Sequence, residues 1–388
     1  MKLIGVIPAR YASTRMPGKP LADILGKPMI WWVYQEAKKC KKLDDVFIAT
    51  DDERIAEACR TYGMEYCMTS PDHDTPTGRI WEVSTKVEAD LYLQIMGDEP
   101  LINVKAFDLI LPDTLPEDPY YVAVLTDRIR FAEAVFPSDG KLLVGSFGSS
   151  ELDPLNTEGK GYVLEFTDTV SRVLIPSDGN LSAPKGMLVK DSCLLIADVG
   201  KLAVYDLRDT AAAPQIVRFP DGELYVNDMA LHGNMLYVTV TNTGSIYSLD
   251  VTRPYAIDTA SLKPYVTIPG ANGIAIRGDT MYVASYPPDG VTTPDNAIYC
   301  IENISAPVAT KLFDRPGQYD GLALSADGSR LYFTNWVDSE VGYYDFADKQ
   351  VHLLDPGVAI GGPARLSLDG DRLYVPDLPG SRVVILPL

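Results

Sequence analysis

Apolar residues follow one rhythm over roughly the first 120 positions and another over the rest. Leu3-Ile4-Gly5-Val6-Ile7 is an unbroken run of strand length, as expected of a strand buried on both faces. Met29, Ile30, Val33, Tyr34 and Ala37 recur at helical spacing, which lines them along one helix face. Val46-Phe47-Ile48-Ala49-Thr50 reads as a second strand. Asp51-Asp52-Glu53 then places acid in the first turn of another helix, where the dipole favours it. Ala89–Met96 reads as a further strand. Strands alternating with helices predict a parallel sheet with helices on both faces.

Beyond residue 120 or so the helical spacing stops. Short alternating strands are separated by Ser138-Asp139-Gly140, Ser177-Asp178-Gly179, Pro220-Asp221-Gly222, Ala326-Asp327-Gly328 and Leu368-Asp369-Gly370, the pattern of an all-β domain. The Pro- and acid-rich stretch Leu111–Pro119 reads as a linker. The β part also repeats. Leu142-Leu143-Val144, Leu194-Leu195-Ile196, Leu236-Tyr237-Val238, Met281-Tyr282-Val283, Leu331-Tyr332-Phe333 and Leu373-Tyr374-Val375 are equivalent strand cores. About nine to eleven residues before each stand Glu133, Lys185, Asn227, Asn272, Asp320 and Ala364, at successive intervals of 52, 42, 45, 48 and 44. A period of about 40–50 residues made of strands predicts a β-propeller with one blade per repeat, here six. The last repeat shows only three clear strands, so Tyr120–Val124 is expected to close the ring. The sequence thus predicts an α/β domain over residues 1–125 and an all-β six-bladed propeller over 129–388.

Composition narrows the function. With 388 residues, 46% hydrophobic and 22% charged, the chain can bury real cores. A net charge of −19 argues against a general nucleic-acid binder. No apolar stretch approaches the ~20 residues of a membrane helix. The opening Met1–Pro8 lacks a signal-peptide cleavage pattern, so a cytoplasmic location is expected. Cys40, Cys59, Cys67, Cys193 and Cys300 are too scattered to suggest a disulfide framework or a zinc cage, and three histidines leave little for a His-rich metal site.

Pro8-Ala9-Arg10-Tyr11-Ala12-Ser13-Thr14-Arg15-Met16-Pro17-Gly18-Lys19-Pro20-Leu21 directly follows the first strand. Arg10, Arg15 and Lys19 offer charge-assisted donors to a polyphosphate, and Ala9, Ala12, Ser13 and Gly18 let backbone N–H groups approach phosphate oxygens. This run resembles the nucleotide-binding loop of CMP-Kdo synthetases, the cytidylyltransferases that activate 3-deoxy-manno-octulosonate. Ala49-Thr50-Asp51-Asp52, Met68-Thr69-Ser70 and Gly97-Asp98-Glu99-Pro100 match further motifs of that family in order. The resemblance covers roughly residues 1–125 and implies a truncated Rossmann-like nucleotidyltransferase half. CTP would bind through Ala9, Arg10, Ser13, Arg15 and Lys19, and Asp98 would hold Mg²⁺. It stops before the family's second half, which supplies most of the sugar-acid pocket, the dimer surface and a second metal-binding aspartate. Asp72–Arg79 departs from the usual Ser-Gly-Thr-(Asp/Glu)-Arg run that seats the base. Nucleotide binding with little turnover is therefore expected.

The repeats resemble the SMP-30/gluconolactonase-like family through Ala132-Glu133-Ala134, Ala183–Met187, Val226-Asn227-Asp228, Ala271-Asn272-Gly273, Tyr319-Asp320-Gly321 and Thr334-Asn335-Trp336. The resemblance implies that Glu133, Asn272 and Asp320 hold one divalent cation (Ca²⁺, Mg²⁺, Mn²⁺ or Zn²⁺), with Asn227 assisting and Asp320 available as a base. Two departures bear on the substrate site. Lys185 occupies the same ring position in its own blade, where its ammonium is an alternative partner for Glu133 and Asp320. Tyr225 stands where lactonase relatives often carry a substrate-gripping arginine. Three readings stay open for this fusion-like chain: a metal-dependent hydrolase of a sugar lactone or similar ester, a cytidylyltransferase acting on a sugar acid with the propeller as scaffold, and a non-catalytic binding propeller.

Overall fold

The computed structural model describes residues 2–11, 18–71, 73, 76–97, 107, 123–167 and 169–388. The chain divides into two compact units, residues 1–120 and 121–388.

In the first unit β1 (Leu3–Ala9), α1 (Met29–Ala37), β2 (Asp45–Thr50), α2 (Glu53–Tyr62), β3 (Tyr66–Met68), α3 (Pro76–Ser84) and β4 (Leu91–Gln94) alternate along the chain. The sheet order is β3-β2-β1-β4, and every pairing is parallel. Strand periodicity decides what each face meets. Leu3 and Ile7 pack with Ile30 and Val33 of α1 and Ile55 and Cys59 of α2, whereas Ile4 and Val6 pack with Val83 of α3. Asp52 caps α2 by accepting from the Arg54 N–H at 2.9 Å, and Gly63 ends the helix in the left-handed region. The strand expected over Ala89–Met96 is shorter, Leu91–Gln94, because its register on β1 runs only from Leu3↔Leu91 to Val6↔Gln94.

The second unit is six four-stranded sheets. Blades 1 to 5 begin with the inner strands Ala132–Ser138, Met187–Lys190, Val226–His232, Ala271–Arg277 and Tyr319–Leu324. Blade 6 is built from Ser367–Asp369, Arg372–Asp377, Arg382–Pro387 and Ala123–Leu125. The last of these pairs antiparallel with Arg382–Pro387, so the ring is closed by a strand from upstream of blade 1. Tyr120, Tyr121 and Val122, the rest of the expected closing segment, lie outside the described residues, as does the Leu111–Pro119 stretch. Apolar clusters form between neighbouring blades: Val163 with Leu194 between blades 1 and 2, Leu195 with Val238 between 2 and 3, and Leu331 with Ala284 between 4 and 5.

Candidate functional site

In the first unit the motif residues converge at the carboxyl ends of the parallel strands, where an open α/β sheet places ligands. Arg79 of α3 is buried and pairs through Nη2 with Asp51 at 3.0 Å, just past β2. Its Nη1 donates to Thr69 Oγ1 at 2.8 Å and to the Ser70 carbonyl at 3.3 Å, just past β3. Thus Ala49–Asp52, Met68–Ser70 and Arg79, distant in sequence, form one cluster. Asp51 Oδ1 is buried there without a hydrogen-bond partner among the described residues. The Gly18 N–H donates to the Tyr11 carbonyl at 2.8 Å, drawing together the two ends of the phosphate-loop motif. Gly18 has φ 72°, and a Cβ there would meet the Tyr11 ring at 3.0 Å. Ala9 is buried at the end of β1, and Arg10 is exposed beside it. Lys19 opens the short turn after the loop. Ser13, Arg15 and Asp98 lie outside the described residues.

In the second unit a repeated backbone device builds the axial site. Where Ala132, Val226, Ala271 and Tyr319 begin their strands the register jumps, so that extra residues bulge opposite the partner strand. The bulged positions include Glu133, Asn227, Asn272 and Asp320. A bulge bends its strand and re-aims the side chain it carries. The residue after each ring position meets the next blade. A Cβ at Gly273 would lie 2.0 Å from the Asp320 carbonyl oxygen, and one at Gly321 would lie 2.4 Å from the Leu366 nitrogen. Thr239 Oγ1 donates to the Asn272 carbonyl at 2.5 Å and Thr334 Oγ1 to that of Ala364 at 2.9 Å, tying blade 3 to 4 and blade 5 to 6.

Glu133, Asn272 and Asp320 line one cavity of about 210 Å³, together with Leu152, Pro154, Tyr225, Tyr286, Trp336 and Leu378. The four bulged side chains are almost wholly buried, at 2%, 1%, 2% and 5% exposure for Glu133, Asn227, Asn272 and Asp320. Yet both polar atoms of the Asn227 amide, Asn272 Oδ1 and Asp320 Oδ1 have no hydrogen-bond partner among the described residues. Burial pushes the Glu133 carboxyl up to about 7, against the opposing pull of Lys185 and with a further push from Asp228. Burial, then Glu133 and Asp228, holds the Asp320 carboxyl well above the usual carboxylate range. The site is therefore rich in oxygen and short of positive charge. Two carboxylates with amide oxygens suit a hard cation. Among the described residues no three His, Cys, Asp or Glu side chains come together as a metal-binding group, so amides would have to complete the ligand set.

Lys185 acts on Glu133 through its charge but makes no direct contact with it. Its Nζ donates to the Ala183 carbonyl at 3.1 Å and lies 4.9 Å from the centre of the Tyr225 ring and 5.9 Å from that of Phe147. Among the described residues it has no ion pair with Glu133 or Asp320. Burial lowers its pKa, opposed by Asp198 and Glu133. The alternative pairing of Lys185 with the axial carboxylates is not a direct contact in this structure: the backbone of Lys185 and Gly186 pairs with Ala197, and the amine donates to backbone oxygen. Sequence reasoning also gave no role to Asp228 and Arg365, which pair at 2.7 Å one residue beyond the ring positions of blades 3 and 6. Asp228 adjoins Asn227 in a motif already singled out, whereas no pattern pointed to Arg365. Tyr286 and Leu152 line the cavity and were likewise missed, and Trp336, quoted within the Thr334-Asn335-Trp336 motif, was given no role.

Fold and motif cluster define a cytidylyltransferase-type α/β unit joined to a β-propeller. A family model described as cytidylyltransferase matches residues 4–145. The 3-deoxy-manno-octulosonate cytidylyltransferase of Escherichia coli is 43% identical over 145 residues, covering 37% of this chain and 59% of its own length. The Vibrio vulnificus (strain YJ016) protein of the same name is 38% identical over 197 residues, covering 50% of this chain and 71% of its own length. The chain belongs to the 3-deoxy-manno-octulosonate cytidylyltransferase family, and it spans only about three-fifths of the Escherichia coli relative. Among solved structures, CMP:2-keto-3-deoxy-manno-octonic acid synthetase complexed with CTP is 44% identical, covering 32% of this chain and 52% of that one, with a TM-score of 0.30. Virginiamycin B lyase from Staphylococcus aureus, with quinupristin, is 15% identical, covering 69% of this chain and 98% of that one, with a TM-score of 0.47.

Proposed function

We propose that the first unit binds CTP with Mg²⁺ in the manner of its relatives and completes little or no transfer to a sugar acid. The observation that carries this is the Asp51–Arg79–Thr69 cluster at the carboxyl edge of the sheet, in a stretch 43% identical to a cytidylyltransferase. Arg10, Arg15 and Lys19, with the backbone around Ala9 and Ser13, would hold the triphosphate, and Asp98 would hold Mg²⁺. The cation would neutralise charge on the phosphate under attack. Calorimetric titration with CTP and Mg²⁺ is expected to show binding that Arg79→Ala weakens. CMP-sugar formation at a rate comparable to the full-length relatives, abolished by Asp98→Ala, would show that the acceptor site is complete.

A second reading rests on the unpartnered oxygens of the propeller axis. Glu133, Asn272 and Asp320 would hold a divalent cation there, with Asn227 beside them and Asp320 able to take a proton. Such a cation polarises an ester carbonyl and acidifies water. This supports an SMP-30/gluconolactonase-like hydrolase of a lactone or similar ester. Titration with Ca²⁺, Mg²⁺, Mn²⁺ and Zn²⁺ is expected to show saturable binding lost in Asp320→Ala. No heat with any of the four would leave the propeller a binding module.

A further inference from the structure

We infer that the axial pocket of the propeller selects a small, uncharged lactone or ester with an apolar body and discriminates against polyhydroxylated sugar lactones. This rests on the reading of the axis as an ester-hydrolysing site and narrows its substrate class. The pocket has two unlike parts. Its polar side chains Glu133, Asn272 and Asp320 all belong to the ring of bulged strand ends, so they gather at one end. The walls are Leu152, Pro154, Tyr225, Tyr286, Trp336 and Leu378. Leu152 and Pro154 come from the connection between the second and third strands of blade 1, and Leu378 follows the strand Arg372–Asp377 of blade 6. The apolar lining therefore comes from several blades. Gly362 seats Trp336, since a Cβ there would press on the indole at 2.7 Å.

Among the described residues no lysine or arginine lines the pocket. Lys185, the basic residue among the ring positions, is fully buried and turned to the Ala183 carbonyl, and Arg365 is engaged with Asp228. A substrate carboxylate or phosphate would find no cationic partner in the walls and would face Glu133 and Asp320. A sugar lactone meets a different obstacle. Its carbonyl occupies the polar end, and among the described residues only the Tyr225 and Tyr286 hydroxyls remain in the walls for its several hydroxyl groups. Each hydroxyl left against Leu152, Pro154, Trp336 or Leu378 gives up water without replacement and weakens binding roughly tenfold. An alkyl group in the same place gains affinity by about tenfold for each pair of methylenes buried. A space of about 210 Å³ limits that gain to small molecules.

The test uses the full chain and non-hydrolysable lactams, so binding is read apart from turnover. Trp336 lines the pocket, and Trp31, Trp32 and Trp81 all lie in the first unit. Quenching of tryptophan emission that disappears in Trp336→Phe therefore reports this pocket. Affinity for a series of alkyl-substituted δ-lactams is expected to climb with chain length until the cavity is full. Gluconolactam is expected to bind at least tenfold more weakly than the best of them. Leu152→Asn, on an exposed loop, should narrow the gap. A gluconolactam affinity equal to or above that of the alkyl lactams, a flat alkyl series, or no lactam binding at all would overturn the inference. Hydrolysis is followed separately with cation added. Alkyl selectivity without turnover of any lactone would remove the hydrolase reading and keep the selectivity. Cation-dependent turnover that favours gluconolactone would do the reverse.

Discussion

Arg365 and Asp228 stand 137 residues apart and meet inside the propeller, Arg365 Nε donating to Asp228 Oδ1 at 2.7 Å. They belong to blades 6 and 3, which face each other across a six-fold ring. Asp228 also accepts from the Met229 N–H at 2.8 Å and from the Ile274 N–H of blade 4 at 3.1 Å. Arg365 Nη1 donates to the Val135 carbonyl at 2.8 Å and to Ser367 Oγ at 2.9 Å, reaching blade 1. One ion pair thereby ties four blades together beneath the ring of Glu133, Asn227, Asn272 and Asp320.

Breaking that pair from one side leaves a buried charge uncompensated. Arg365→Met should cost about 3–5 kcal/mol of stability, because Asp228 remains fully buried. Adding Asp228→Asn removes the stranded charge and should recover a large part of the loss. Urea unfolding of the three proteins checks both statements. Equal destabilisation by the single and double variants would show that the loss comes from packing rather than charge.

The ring was legible in the sequence because a propeller repeats its backbone, and residues at the same point of each repeat reach the same axis. Glu133, Asn227, Asn272 and Asp320 follow from that spacing, together with the family resemblance. Arg365 does not, because it stands one residue past Ala364, the least informative member of the series. Its partner is fixed only when blade 6 closes beside blade 1. The lining residues Tyr286 and Trp336 lie just beyond strand ends and Leu152 in the long connection between two strands of blade 1, where repeat spacing says nothing about direction. In the first unit the β-α-β pattern was legible from apolar runs. The Arg79–Asp51 contact was not, because α3 begins in a segment that departs from the family's usual motif.

Ring closure gives a second expectation. Ala123–Leu125 supplies the outer strand of blade 6 and pairs with Val383–Ile385. A fragment beginning at residue 129 leaves the Arg382–Pro387 strand with an open edge, which both weakens the blade and templates aggregation. A fragment beginning at residue 121 keeps the pairing. The shorter fragment should melt lower by about 5 °C or more, or aggregate on purification. Identical melting of the two fragments would mean that this strand contributes nothing to closure.

Acid should loosen the first unit through Glu82. Its carboxylate accepts from Lys86 Nζ at 2.5 Å and the Ser70 N–H at 2.7 Å, and meets His73 Nε2 at 2.6 Å. Lys86 first, then the Ser70 N–H, holds it down at about 2. A depressed carboxyl contributes stability that is complete above its ordinary value of 4.5 and is lost as pH falls through about 2. Glu82→Gln should therefore lower the urea midpoint of the first unit at pH 7, and the deficit should shrink steadily as pH falls from 4.5 towards 2. A deficit undiminished at the lowest pH would assign the effect to side-chain packing.

Lys185 offers the sharpest division between two views of the axis. If its ammonium stood in for a cation, the wild type would bind no divalent ion and Lys185→Met would create the affinity. The geometry favours the other outcome, since Nζ is committed to the Ala183 carbonyl and to the face of Tyr225. Calorimetry is expected to show cation binding in the wild type and tighter binding in Lys185→Met, as a like charge outside the ligand set is removed. The same substitution has a signature in stability. Burial lowers the Lys185 pKa from 10.5, so over the interval between its folded value and 10.5 the unfolded chain binds more protons than the native one. Wild-type stability should then rise as pH climbs through that interval, and the rise should be absent in Lys185→Met. Urea unfolding at a series of alkaline pH values measures the difference. Parallel pH profiles would mean that the buried amine stays protonated, and cation binding appearing only in the Met variant would return Lys185 to the role of internal counter-ion.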